Sequence, residues 1–287
     1  MSEPSNRHLT VQNRRPMTNS YTITWIVEAE AFSEAYASFC DAITAQGCGL
    51  VHWKDEWWES QAFPNFSGSP TLFHGSLGNA DRIARELPWW PGAFCATEAF
   101  HCSAWYEQAV GWLLPRKWVF TTVRELVANP VSIAGHLDID GKVFIRPDSP
   151  LKPFSGRVRR LNGITLRDLD HGFYYEDEAL PIVVSSLAPV EQEWRFIVGA
   201  GKIIAASGYE ADSRTARNQE GIPWNAAREI IATLEPPESV YVMDLCESDG
   251  EIRLVELNPF SGADLYACPP AKVVHGVCAV IRSMRNT

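Results

Sequence analysis

The chain has 287 residues, 46% hydrophobic and 21% charged, which is long enough for one sizeable domain or two to three subdomains. Its formal charge of -10 argues against non-specific nucleic-acid binding, because neutralising phosphates takes a basic surface, and no apolar run approaches the length of a bilayer span. Seven cysteines, odd in number and with no C-x-x-C pair, exclude a disulfide framework and point to a reducing cytoplasm.

Residues 1–18 are polar, lack the apolar stretch of a secretory signal and read as a flexible tail. Residues 21–27, YTITWIV, read as a strand. Phe32, Ala35, Tyr36, Phe39, Cys40 and Ile43 then recur at helical spacing and stop before Gly47. Short strands follow at 49–53 and 71–74, the second leading through Gly75-Ser76 into a helix over 78–86, an α/β pattern. Nine of the eleven tryptophans precede residue 119, which sets a compositional boundary near 118. They read as core and loop packing, with the Trp57-Trp58 and Trp89-Trp90 pairs as the places where a ring is exposed. His101-Cys102 has no second ligand pair at zinc-finger spacing.

Thr122 and Glu125 form a capping-box pattern for a helix that Pro130 is expected to close. Strands follow at 142–146, 181–185, 193–198 and 202–207, the last two joined by Gly199-Ala-Gly201. A helix over 225–234 precedes a hairpin with arms 240–247 and 251–257, and a closing helix spans 271–284. Strand and helix runs in this order predict α+β subdomains. The expected organisation is a small α/β unit at 19–118 and two α+β units at 119–185 and 186–287.

Chemistry concentrates in the hairpin. Glu256 and Asn258 alternate onto one face of the returning strand, and Asp244 lies in the outgoing strand. A two-residue Asp-Gly turn would set Asp244 on the opposite face from Glu256. A three-residue Ser248-Asp249-Gly250 loop would set it across from Leu254, with Glu256 diagonal to it. Two carboxylates and an amide oxygen are hard ligands of the kind Mg²⁺ takes while keeping room for water and phosphate. Pairing of both acids with basic neighbours, and a plain turn at Asn258-Pro259, are the structural alternatives. Acids inside the apolar strands YVMDLC and LVELN are costly without partners, which favours a functional set.

Two further groups stand out. Arg146, Lys152, Ser155 and Gly156 lie in one strand-to-loop stretch whose amides and cations suit phosphate. Ser186 and Leu187 follow a buried strand, and Glu193 and Arg195 share one face of the next.

Together and in this order, with MDLCESDGEIRLVELNPFSGADLY as the strongest stretch, these residues resemble the ATP-grasp superfamily of carboxylate–amine ligases over roughly residues 119–287. TLFHGSLGNADRI, WWPGAF and the Arg146-Pro147 pair resemble a bacterial and phage clade of that superfamily, with Arg-Pro where many members have Lys-Pro. The resemblance implies an α+β ATP-grasp fold in which two subdomains grip ATP behind a small α/β pre-ATP-grasp domain. It also implies that Asp244, Glu256 and Asn258 hold one or two Mg²⁺ ions, with Mn²⁺ as a substitute. Arg146 would contact phosphate or adenine, and Lys152, Ser155 and Gly156 would cover the phosphates. Ser186 and Leu187 would line the adenine, Glu193 would hold the ribose, and Arg195 would face phosphate or the acyl intermediate. Lys117 is the nearest candidate for an earlier second basic residue.

The implied reaction joins a small-molecule or peptide carboxylate to an amine through an acyl phosphate, with Arg195 and Arg146 as the charge-stabilising catalytic residues. A phosphotransferase acting on a hydroxyl, a nucleotide-binding protein without turnover, and an interaction module built on the tryptophan-rich part are the alternatives. Neither a nucleic acid nor a membrane is expected as a partner.

Overall fold

Trp25 and Ile26 are fully buried, as befits a strand covered on both faces, and the strand that holds them is the centre of a parallel sheet. The computed structural model describes residues 21–29, 32, 35–66, 68–139, 141–169, 177–209 and 221–285, so the predicted tail lies outside the described residues. The first sheet contains β1 (Thr24–Val27), β2 (Gly49–His52), β3 (Thr71–His74) and the two-residue β4 (Pro91–Gly92), in the order β2-β1-β3-β4. Helix α1 (Tyr36–Ala45) buries Phe39 and Ile43, and the Phe39 ring meets Trp25 edge-on at 5.4 Å. The apolar spacing predicted turns from Phe32, but the helix begins at Tyr36, and Phe32 packs against Phe39 at 5.3 Å from outside it. A short helix α2 (Glu56–Ser60), not expected from the sequence, carries Trp57 and Trp58. Helix α3 (Leu77–Glu86) follows β3.

Cys102–Trp105 form the single-turn helix α4, and β5 (Trp118–Thr122) begins the second sheet. Thr122 Oγ1 accepts the Glu125 N–H at 3.2 Å and starts α5 (Val123–Ala128), as the capping pattern predicts. Pro130 does not return the chain to strand. It opens a second helix, α6 (Pro130–Leu137), because proline at the first helical position loses no hydrogen bond and brings a helical φ. Strands β6 (Lys142–Pro147), β7 (Arg157–Arg160) and β8 (Pro181–Ser185) complete an antiparallel sheet ordered β5-β8-β6-β7.

The third sheet, also antiparallel, runs β10-β9-β11-β12, with β9 (Glu193–Gly199), β10 (Lys202–Tyr209), β11 (Val240–Ser248) and β12 (Glu251–Pro259). Helix α7 (Trp224–Thr233) covers one face, packing Ile230 against Trp194, Phe196 and Met243. Helix α8 (Pro270–Arg285) covers the other, and its Val274, Val277 and Ile281 share a core with Trp25 and Phe39 of the first unit. Phe100, Trp105, Tyr106 and Leu113, which precede the compositional boundary, pack in the core of the third sheet rather than against the first.

Most tryptophans are buried or half-buried, and only Trp90 and Trp224 count among the exposed large hydrophobic side chains. Trp57 and Trp58 are both half-buried on a helix, so the alternation expected of a strand does not apply to them. No helix among the described residues is long and apolar enough to cross a membrane.

Candidate functional site

Register in the β11–β12 hairpin follows neither of the two geometries expected from the turn. Ser248 pairs with Glu251, so the loop has two residues, Asp249 and Gly250, both with positive φ (53° and 75°). Unbroken, that register would set Asp244 opposite Val255. A bulge leaves Val255 unpaired, moves the ladder by one residue and places Asp244 directly opposite Glu256. The acids are therefore cross-strand neighbours rather than diagonal ones.

Asp244 also pairs with Arg195 on β9, and Arg195 with Ser207 on β10, so Ser207, Arg195, Asp244 and Glu256 form one row across all four strands. Asp244 is 1% exposed. Arg195 grips both of its oxygens, from Nε at 2.8 Å and Nη2 at 2.7 Å, and donates from Nη1 to the Asp264 carbonyl at 2.7 Å. Burial pushes the Asp244 carboxyl up and Arg195 opposes that. Burial also works against the charge of Arg195, but the Asp244 carboxylate outweighs it and holds the guanidinium protonated.

Glu256 is the junction between the second and third sheets. Arg146 on β6 donates to Oε2 at 3.0 Å, and Lys152 in the β6–β7 loop donates to Oε1 at 2.9 Å. Asn258 Nδ2 donates to the same Oε1 at 2.9 Å and to Asp244 Oδ2 at 3.3 Å. Burial raises the Glu256 carboxyl, but Lys152 and Arg146 outweigh it and hold the group well below the usual carboxylate range. All three expected metal ligands thus converge, and both acids are ion-paired with basic neighbours at the same time.

The remaining predicted residues are placed less uniformly. Lys152 has a positive φ of 48°, and Ser155 and Gly156 are exposed beyond it. A Cβ on Gly156 would stand 2.4 Å from the Phe144 ring, so that glycine keeps the loop against β6. The Ser186 N–H is taken by the Lys117 carbonyl at 3.0 Å, and Leu187 is exposed. Lys117 donates from Nζ to Asp138 at 2.9 Å, an exposed pair away from Glu256. Buried Glu193 accepts the Tyr209 hydroxyl at 2.9 Å, and burial raises its carboxyl despite that bond.

Sequence reasoning missed the aromatic floor of the site. The Arg195 guanidinium lies 4.6 Å from the Tyr266 ring centroid, and Tyr266 stacks on Tyr209 at 4.6 Å and 13°. Tyr266 is held at φ 46° by its N–H bond to Asp264 Oδ1. An Asp two residues before an aromatic, in SGADLY, was the legible signal for that turn. The loop reaches the first unit through Ser261, which bonds Gly75 and Phe94 of the backbone at 2.9–3.1 Å.

The donor set suits a hard divalent ion: two carboxylates and an amide on adjacent strands. No cluster of three or more His, Cys, Asp or Glu side chains able to hold a metal exists among the described residues, His101 and Cys102 included.

Residues 115–275, more than half of the chain, match the family model of an ATP-grasp domain (clade family 2). The chain belongs to the ATP-grasp superfamily. Its two antiparallel sheets, joined at Glu256 behind a parallel first unit, form an α+β ATP-grasp fold. Solved ATP-grasp structures are similar along nearly their whole length. D-alanine–D-alanine ligase from Bacillus anthracis is 11% identical, with 93% of this chain and 99% of that chain covered and a TM-score of 0.57. D-cycloserine synthetase DcsG is 10% identical (90% and 99% covered, TM-score 0.58). The ATP-grasp ligase PsnB, complexed with minimal precursor, Mg and ADP, is 13% identical (90% and 97% covered, TM-score 0.51). At these identities the likeness is one of fold. No curated protein matches the chain.

Proposed function

We propose that this ATP-grasp chain is an ATP- and Mg²⁺-dependent ligase that joins a carboxylate to an amine and releases ADP and phosphate. The observation that carries it is the convergence of Asp244, Glu256 and Asn258 with Arg195, Arg146 and Lys152, supported by the ligase activities named for structures of the same fold.

Asp244, Glu256 and the Asn258 amide oxygen would hold one or two Mg²⁺ ions, with Mn²⁺ as a substitute. Bound there, the ion supplies charge neutralisation for the triphosphate. A substrate carboxylate oxygen attacks the γ-phosphorus, the bond to the β-phosphate oxygen breaks and ADP leaves. The amine nitrogen then attacks the acyl carbon, phosphate departs and the nitrogen loses its proton. Arg146 and Arg195 supply fixed positive charge as the phosphoryl group transfers, and Lys152, with Ser155 and Gly156, covers it from the β6–β7 loop. Glu193 would hold the ribose, and Ser186 and Leu187 the adenine edge. Tyr209 and Tyr266 hold Arg195 in place so that it need not reorganise. The substrates are a small-molecule or peptide carboxylate and an amine, and seven free thiols suit the cytoplasm.

Purified protein given Mg²⁺, ATP and mixtures of amino acids or short peptides is expected to release ADP, and Glu256→Gln to lose at least about a hundredfold of that rate. Undiminished ADP release by Glu256→Gln would remove the metal role. Hydroxylamine added to the reaction should yield a hydroxamate; ADP release without one would indicate phosphoryl transfer to a hydroxyl instead.

A further inference from the structure

We propose that Arg146 and Lys152 occupy the metal-binding carboxylates until nucleotide arrives, so that the divalent ion enters this site only together with the nucleotide. This goes beyond the ligase reading but rests on it, in that Glu256 is taken as a metal ligand.

Both oxygens of Glu256 are engaged, Oε2 by Arg146 and Oε1 by Lys152 and Asn258. Both oxygens of Asp244 are engaged by Arg195. Asn258 turns its Nδ2 toward the two carboxylates, whereas a metal ligand needs the oxygen of that amide there. Three cations therefore bond directly to two carboxylates, and the Glu256 side chain is only 15% exposed. A bare divalent ion would add its charge to a cluster that already carries an excess of cations, in a place where water screens poorly. A polyphosphate reverses the balance. It offers Arg146 and Lys152 anionic oxygens of their own and frees both Glu256 oxygens for the ion.

Lys152 is the cation best placed to move, because its side chain is 38% exposed and sits on a loop. Arg146 and Lys152 stand on the second sheet and the loop that leaves it, and Glu256 on the third, so the same contacts hold the two sheets together in the absence of nucleotide.

The test is equilibrium ultrafiltration of Mn²⁺ with the full-length protein, with and without a non-hydrolysable ATP analogue, and elemental analysis of the metal retained. The wild type is expected to bind Mn²⁺ at least about tenfold more weakly alone than with the analogue. Lys152→Met, with an unchanged melting profile, is expected to bind Mn²⁺ alone about tenfold more tightly than wild type, and Lys152→Arg to behave as wild type. Equal Mn²⁺ affinity with and without the analogue would overturn the proposal, as would a Lys152→Met protein no tighter than wild type. Mn²⁺ retained in no arm, while the analogue itself is retained, would overturn the metal site and the proposal with it.

Discussion

Replacing Asp244 by Asn tests the centre of the site without changing its shape. Asp244 and Arg195 have side chains 1% and 9% exposed and share two bonds of 2.7–2.8 Å. The amide keeps one acceptor for Arg195, turns a donor toward the other guanidinium N–H and removes the countercharge. Removing one partner of a buried pair costs about 3–5 kcal/mol, and the bond that survives puts this case near the lower end, about 3 kcal/mol. At roughly 2–4 °C per kcal/mol for a chain this size, the melting temperature should fall by about 6–12 °C. Urea unfolding should show the midpoint moving with no change in slope. The double variant Arg195→Met/Asp244→Leu leaves no orphaned charge and should recover most of the loss, a coupling of about 2–3 kcal/mol between the positions. An Asp244→Asn protein within about 0.5 kcal/mol of wild type, or a double variant no better than the sum of the singles, would refute a buried ion pair at this position.

Two other substitutions probe how the first unit supports the site. His74 is fully buried among Phe32, Phe39 and Phe260, with ring centroids 4.8–5.6 Å away, and neither ring nitrogen has a hydrogen-bond partner. Burial lowers its pKa to about 4, so the unfolded chain takes up the proton first and stability falls as pH drops from about 6.5 toward 4. His74→Phe should flatten that decline and be about 1–2 kcal/mol more stable than wild type at pH 5, as urea titrations at pH 5 and 7 would show. A Cβ on Gly262 would lie 2.8 Å from the Leu77 Cα and 2.5 Å from its Cδ1. Gly262→Ala should therefore cost about 1–3 kcal/mol by calorimetry and slow ADP release, because the displaced loop carries the Asp264 carbonyl that holds Arg195.

Most of the elements, and the residue types that make up the site, were legible from the order of the amino acids alone. Alternation and helical spacing are local properties, so β3, β8, α3 and α8 are readable to within a residue or so, and acids within YVMDLC and LVELN are conspicuous against apolar neighbours. Pro130 misled because the same residue ends one helix and opens another, and its role depends on whether the next turn finds a core to pack against, as Ile133 and Leu137 do. How the site is assembled emerged only on folding. A bulge at Val255, invisible to period-two counting, brings Asp244 opposite Glu256. Arg146 and Lys152 reach Glu256 across more than a hundred residues of sequence, and Tyr209 meets Tyr266 under Arg195. Such contacts are set by how sheets pack rather than by neighbours in the chain. The residue types were therefore readable beforehand, whereas their partners and the state in which they hold one another were not.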